Sequence, residues 1–422
     1  MEQPEQVTAP DIMALAHRVM ERCDVLGSCS EETFRLTRRF LTPPMREVHE
    51  HVGGWMIAAG LSPRIDAVGN ILGHRAGTST SAPSFVIGSH LDTVPHAGKY
   101  DGIVGVLLGI AVAEALRDAE LPFGLLVAGF SEEEGVRYGA PFLGSMAAAG
   151  SFERSLLQLT DADGVSMDQA IRDFGGDPDR IAQAAWVPER LLGYLEAHIE
   201  QGPVLESLNL PIGIVTGIAG QTRAQVLFEG RAAHAGTVPP DQRRDALTGA
   251  AEFILAVEAH ARATPDLRAT VGTVNIGPNV SNVIPGRAML GLDIRHADDQ
   301  LRQAAVDHLL EVARQIGEAR RLAVTLKTNA TQSVVRCDPK LTRIMQEAVA
   351  EAGIRPSHLL SGAGHDAMVI SRILPTAMLF LRCRDGVSHH PDESVKVEDV
   401  AAALDAMARF VSSLPKKLIS AV

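Results

Sequence analysis

Ser84-Phe-Val-Ile-Gly-Ser-His90-Leu-Asp92-Thr, then Asp101-Gly-Ile-Val-Gly-Val-Leu-Leu-Gly-Ile-Ala-Val-Ala-Glu-Ala115, then Phe123-Gly-Leu-Leu-Val-Ala-Gly-Phe130-Ser-Glu132-Glu133-Glu134-Gly: this stretch decides the fold. Residues 84–89 and 123–130 are short apolar runs with turn residues around them, the pattern of buried strands. Between them, residues 102–120 form an Ala/Leu/Val stretch of helical length, for which Asp101 is the natural N-cap. Strand, helix and strand at this spacing make a βαβ unit, and a crossover of that length joins parallel strands. Ligands of parallel sheets sit at the carboxyl ends of the strands, and His90, Asp92 and the Glu132–Glu134 run stand at those ends.

Outward from this unit, residues 43–60 begin with two prolines after Thr42 and read as an amphipathic helix ending at Gly60. A short strand follows at residues 71–72. After Pro211 the pattern changes. Residues 213–218, 222–230, 268–276, 286–295 and 322–329 read as strands, and 244–262 and 298–320 as helices, which together make a compact α+β unit with a mainly antiparallel sheet. After residue 330 the alternation resumes, with a helix from Asp338-Pro339, a strand at 376–382 and an amphipathic helix at 397–414. The expected fold is therefore α/β, a mainly parallel-sheet domain over residues 1–212 and 328–422 interrupted by an α+β insertion at 213–327.

Composition narrows the function. A chain of 422 residues exceeds one small core. A net charge of −12 and a pI near 5.7 argue against nucleic acid or an anionic membrane as partner, since phosphate binding needs a cationic face. No apolar run is long enough to span a bilayer. The start, Met-Glu-Gln-Pro-Glu, lacks the basic and apolar segments of a secretory signal. Cys23, Cys29, Cys337 and Cys383 form no Cys-x-x-Cys pair and are expected reduced and buried, so a cytoplasmic location is expected.

Five stretches carry metal-liking side chains: His90 and Asp92, Asp101, Glu132–Glu134, His198 in Tyr194-Leu-Glu-Ala-His-Ile-Glu-Gln201, and His389 in Ser388-His-His-Pro. His90 and Asp92 are two apart near a strand end, so they project to one side. That spacing suits a ligand His beside a carboxylate, or a His whose second nitrogen the carboxylate holds. Asp101 offers two oxygens, enough to bridge two cations. Of adjacent Glu133 and Glu134, one can ligate while the other stays free as a base. Alternation places His198 on a polar face of its run. Taken singly, Asp101 is also a plain N-cap and the Glu triplet a solvated turn; the buried-looking strand just before the triplet weakens the latter reading. Asn282 equally fits a turn before Pro285, and Arg295 a strand-end surface charge.

Together the ordered motifs GSHLDTV (88–94), DG (101–102), EEGVRYG (133–139), HIEQGPVLE (198–206), AHAGTVP (233–239), NVIPG (282–286), DIRH (293–296), SGAGHDA (361–367) and SHHPDES (388–394) resemble the dinuclear metal amidohydrolases of the aminoacylase and carboxypeptidase G2-like superfamily, in its hydantoinase/carbamoylase branch. The resemblance runs from about residue 20 to 412. It implies two divalent ions per subunit, zinc or manganese, with cobalt or nickel also compatible with a His/carboxylate site. One ion would bind His90 and His198, the other Glu134 and His389, with Asp101 bridging and Asp92 behind His90. Glu133 would be the general base, although Glu132, where Asp is usual, leaves that choice open. Two such ions would lower the pKa of water from about 15.7 toward roughly 7.

On the substrate side, the resemblance makes His234 the hydrogen-bond donor to the developing oxyanion, Asn282 and Arg295 the grip on a carboxylate, Gln201 the reader of a carbamoyl amide, and His365 a pocket residue. The planar fork of Arg suits a carboxylate. The insertion would act as a lid and dimerisation domain of a homodimer, hinged near residues 213–217 and 328–329, with His234 serving the neighbouring subunit. The implied activity is hydrolysis of a ureido (N-carbamoyl) C–N bond in a small carboxylate. Allantoate is favoured as substrate and N-carbamoyl-L-amino acids are the alternative. A dipeptidase fits less well, because its relatives usually carry an acid where His198 stands. A metal-free binding protein of the same fold would need lost ligands, and every expected position is filled.

Overall fold

The computed structural model describes residues 11–418, with side chains as far as residue 414. The acidic start of the chain, Met-Glu-Gln-Pro-Glu, lies outside the described residues. The chain divides into two compact units. One holds the chain up to Thr216, Cys337–Leu359 and everything from Gly364 onward; the other holds Gly217–Arg336 and Leu360–Ala363.

The first unit is built on a sheet in the order Ser62–Ile65, Ile71–Arg75, Gly124–Phe130, Ser84–His90, Leu191–Ile199, Thr376–Leu381, Ile212–Ile218. Its four middle strands are parallel neighbours. The flanking pairs are antiparallel. The parallel centre expected from residues 84–130 is present. Helix Ile103–Ala115 joins two of those strands, and every residue from Ile103 to Ala113 is buried. A helix apolar on all sides needs cover all round. Helices Ile12–Ser28 and Val397–Leu418 supply part of it, and Phe85, Val104, Leu107, Leu195, Met407 and Phe410 share one core with it.

Three readings change here. Asp101 is not the N-cap of its helix: Gly102 takes that position at φ 67°, and no side chain caps it. A Cβ at Gly102 would overlap the His90 imidazole, so glycine supplies both the left-handed backbone and the clearance. His198 is not on a polar face. Its strand lies at the middle of the parallel sheet and is buried from Gly193 through Ile199, both faces being covered, so alternation carries no polar side there. Helix Ile12–Ser28, capped by Asp11 on the Ala14 N–H, was not read from the sequence. The four cysteines are free and buried. Among the described residues no helix is long and apolar enough to cross a membrane.

His49, on helix Pro43–Ala58, is buried with its ring perpendicular to Phe174. Burial, aided by Arg46, lowers its pKa to about 4. Its neutral form is favoured in the folded chain, so this contribution to stability is complete above pH 6.5 and is lost as pH falls toward 4, about 3 kcal/mol in all. His49→Leu is expected to flatten the pH dependence of the urea midpoint in that window. An unchanged slope between variant and parent would remove His49 from the account.

The second unit has the antiparallel sheet Ala323–Gln332, Gly220–Glu229, Arg287–His296, Arg268–Gly277. Helices Ala246–Ala263 and Asp299–Arg320 cover one face, and Val226, Phe228, Phe253, Leu290 and Leu309 fill the core. This is the α+β pattern expected. Of the expected hinge positions, residues 213–217 lie inside strand Ile212–Ile218. The other falls at a bulge, where the ladder skips Asn329 between Thr328 and Ala330.

Candidate metal centre

His90 ends its strand opposite Phe130, and His198 lies opposite Phe380, so parallel register brings both histidines and the Glu132–Glu134 run to one edge of the sheet. The turn through Asp101-Gly102 folds back over them. Asp101 is buried, with His198 Nε2 2.9 Å and His90 Nε2 3.7 Å from its Oδ1. Its Oδ2 has His389 Nε2 at 3.1 Å, and His389 is 3.4 Å from Glu134 Oε1. One carboxylate thus stands between two groups of ligand atoms. Ligand-type atoms converge in three triads: His90, Asp101 and His198; His90, Glu133 and Glu134; and Asp101, Glu134 and His389.

The donors fit a divalent cation. His90 Nδ1 lies 3.1 Å from the Asp92 carbonyl and His198 Nδ1 2.9 Å from that of Ile199. Carbonyls accept only, so each Nδ1 carries the proton and each Nε2 presents a lone pair. Those two Nε2 atoms face each other at 3.4 Å, with Asp101 Oδ1 2.9 Å from one and 3.7 Å from the other. Buried lone pairs pointed at one another call for a cation. A tetrahedral shell with ligands at about 2.1 Å spaces its donor atoms by about 3.4 Å, close to these separations.

The electrostatics agree. Burial opposes charge on Asp101, yet His198, His389 and His90 around it hold its carboxyl well below the usual range. Burial likewise opposes charge on His90, but Asp101 and Asp92 raise its pKa well above normal. His389 is raised by its contact with Asp101. Burial pushes Glu133 well up, and Glu134 to about 7. Carboxylates outnumber their neutralising partners, so the cluster takes up protons; bound cations would displace them.

Asp92 has a second role that spacing does not reveal. Its Oδ1 accepts from the Glu133 N–H at 3.0 Å and its Oδ2 from the Glu134 N–H at 3.1 Å, fixing the loop that carries both acids. Gln201, at φ 56°, donates through Nε2 to Asp101 Oδ2 at 2.9 Å, with Ser388 Oγ at 3.2 Å and His389 Nε2 at 3.3 Å, while its Oε1 is buried without a donor. His365 is buried edge-on against His198, the rings at 66° with centroids 4.5 Å apart, so it backs a histidine of the cluster. Glu132 is buried deeper than Glu133, and burial with Asp92 and Glu134 beside it pushes its carboxyl well up. His390 is exposed beside Asp392, outside the triads.

The remaining candidates belong to the second unit. His234 and Asn282 are brought together: His234 pairs with Val283, and the Ala235 N–H donates to the Asn282 carbonyl at 2.9 Å. Arg295 lies elsewhere on that unit's sheet, its Nε and Nη2 held by Asp293 at 2.7 and 2.9 Å and its Nη1 donating to the Gly362 carbonyl. Asp293, itself bonded to Gln221 at 2.5 Å, orients the guanidinium. It stands in the DIRH motif, but nothing in its spacing marks that task.

Sheet and cluster together define a two-unit α/β protein with a His/carboxylate centre at the carboxyl edge of its parallel strands. Residues 86–413 match the model of peptidase family M20/M25/M40. The chain is 37% identical to allantoate deiminase of Arabidopsis thaliana, over 94% of this chain and 82% of that protein. It is 35% identical to N-carbamoyl-L-amino acid amidohydrolase of Geobacillus stearothermophilus, over 95% and 99%. A solved amidase of the hydantoinase/carbamoylase family from Burkholderia multivorans superposes with a TM-score of 0.87 at 32% identity, covering 96% of this chain and 97% of its own. The chain belongs to the M20/M25/M40 family and, within it, to the hydantoinase/carbamoylase amidases.

Proposed function

We propose that this protein is a metal-dependent amidohydrolase that cleaves the ureido C–N bond of a small carboxylate, with allantoate as substrate. The observation that carries this reading is the divided cluster, in which Asp101 offers one oxygen to the His90/His198 side and the other to the His389/Glu134 side. The relatives named for action on allantoate and on N-carbamoyl-L-amino acids support the substrate class. N-carbamoyl-L-amino acids remain the second reading, favoured by near-complete coverage of the Geobacillus protein.

His90, His198, Asp101, Glu134 and His389 would hold two divalent ions, zinc or manganese. When bound, the ions would polarise the carbonyl and acidify water. Glu133, held by its backbone to Asp92, takes the proton of the attacking water and delivers it to the leaving nitrogen. The attacked C–N bond breaks, and the carbamate released decomposes to ammonia and carbon dioxide. In this reading Arg295 and Asn282 bind the carboxylate and His234 the oxyanion, and the protein works as a homodimer in the cytoplasm.

Gln201 supplies the selection for a carbamoyl group. Both of its donors are directed to the cluster, so its remaining Oε1 is an acceptor, and a terminal –NH₂ satisfies it where a formyl hydrogen does not. Gln201→Leu is expected to cut the preference for carbamoyl over N-formyl substrates about 10- to 100-fold. An unchanged ratio would assign the selection elsewhere. The substrate itself is tested by ammonia release from allantoate and from a panel of N-carbamoyl-L-amino acids, using protein reconstituted with Mn²⁺ or Zn²⁺. Turnover of allantoate supports the leading reading and turnover of the panel alone supports the second. Silence on both, with metal bound, sinks the ureide class.

A further inference from the structure

We propose that Glu393 is a positioning residue for Asp101, clamping the bridging carboxylate from behind; this rests on reading the cluster as a metal centre. Glu393 is buried, and its Oε1 accepts from the N–H groups of both Tyr100 and Asp101, at 2.8 and 3.1 Å. Ser388 Oγ stands between the two acids, 3.2 Å from Glu393 Oε2 and 2.8 Å from Asp101 Oδ2, and its single proton serves one of them at a time. Asp101 is therefore held at its backbone directly, with the Ser388 hydroxyl packed between its carboxylate and that of Glu393. The approach leaves no room for a side chain at Gly98, where a Cβ would overlap the Glu393 carboxyl.

The clamp acts on one side of the centre. Oδ2 is the oxygen that faces His389, and Gln201 donates to the same atom. Ser388 and His389 are neighbours in the loop that Glu393 anchors, so this acid acts on a proposed ligand and on the bridge at once. Oδ1, toward His90 and His198, receives nothing from the clamp. Loss of Glu393 thus weakens the ion on the His389 and Glu134 side and spares the other.

Metal-free full-length protein titrated with Co²⁺, followed by visible absorption and by competition with a chromophoric chelator, tests this without reference to turnover. The parent should bind two ions. Glu393→Ala should bind one with unchanged affinity and the other about 10- to 100-fold more weakly, with an altered absorption band. Glu393→Gln keeps an oxygen for both N–H groups and an –NH₂ for Ser388, so it should restore both affinities. If Glu393→Ala matches the parent in both affinities and in spectrum, the positioning role is overturned, whatever happens to its melting temperature. If the alanine variant does not fold, Ser388→Ala, which removes only the hydroxyl between the two acids, is held to the same outcome, and unchanged affinity again overturns the role. A parent that binds no Co²⁺ would overturn the metal-centre reading itself, and this inference with it.

Discussion

Glu133→Gln is expected to lower kcat on the ureido substrate by about 10²- to 10⁴-fold, the range supplied by a positioned acid–base group, while the variant keeps two metal ions. The geometry separates proton transfer from ligation. Glu133 is anchored by its backbone N–H on Asp92, so replacing its carboxyl leaves the loop in place. Its neighbour Glu134 is the acid that approaches His389. Glutamine preserves size and removes only the ability to hold a proton, so a catalytic defect with full metal content identifies the base. Metal content by atomic emission and kcat on the same preparation are the measurements. Loss of one ion in Glu133→Gln would instead exchange the roles of the two acids, an arrangement that the His90, Glu133, Glu134 triad also permits. Glu132 is the weaker candidate for the base because its carboxylate belongs to none of the three triads, whereas that of Glu133 does.

Much of this was legible in the sequence, for an identifiable reason. A buried parallel strand must be apolar and must stop where its ligand begins, so Phe85–Ser89 and Leu125–Phe130 announce both the sheet and the edge at which His90 and Glu134 stand. The helix between them is apolar throughout and readable on that ground, although it runs Ile103–Ala115 and not over 102–120. Asp101 has the residue type and position of an N-cap, but its carboxylate is drawn into the ring of imidazoles, where it finds far stronger partners than a helix N–H. His198 was placed on the wrong kind of surface because period-2 alternation presupposes one wet face, which a central strand lacks.

Partnerships between distant residues left no local trace. The Glu393 clamp closes over a separation of 292 residues to Asp101, and the Asp92 anchor over 41 to Glu133. Each of these acids stood inside a motif already marked, yet only coordinates assign the direction in which a carboxylate faces. Asp293, which holds the fork of Arg295, is a third case. The chemistry-bearing residue types were therefore readable and the groups that aim them were not.

Asp101→Asn is the substitution with the most severe expected outcome: loss of at least one metal ion per chain and a fall in kcat/KM of about 10³-fold or more, since Lewis-acid stabilisation by an ion is worth several kcal/mol and each 1.36 kcal/mol is tenfold. The amide keeps one oxygen but loses the negative charge, and its nitrogen turns a donor toward one of the two ligand groups. Either orientation fails. With –NH₂ on the Oδ1 side it cannot ligate, and it hydrogen-bonds the lone pairs of His90 and His198 that the cation would take; on the Oδ2 side it does the same to His389 and also meets the donors of Gln201 and Ser388 head-on. The second orientation breaks more contacts, so the amide oxygen should settle on the Oδ2 side and the His90/His198 ion should be the one lost. Metal content after dialysis, with circular dichroism to confirm the fold, decides the matter. Two ions retained with activity within tenfold of the parent would mean that Asp101 does not bridge, and that the two ligand groups act as separate sites.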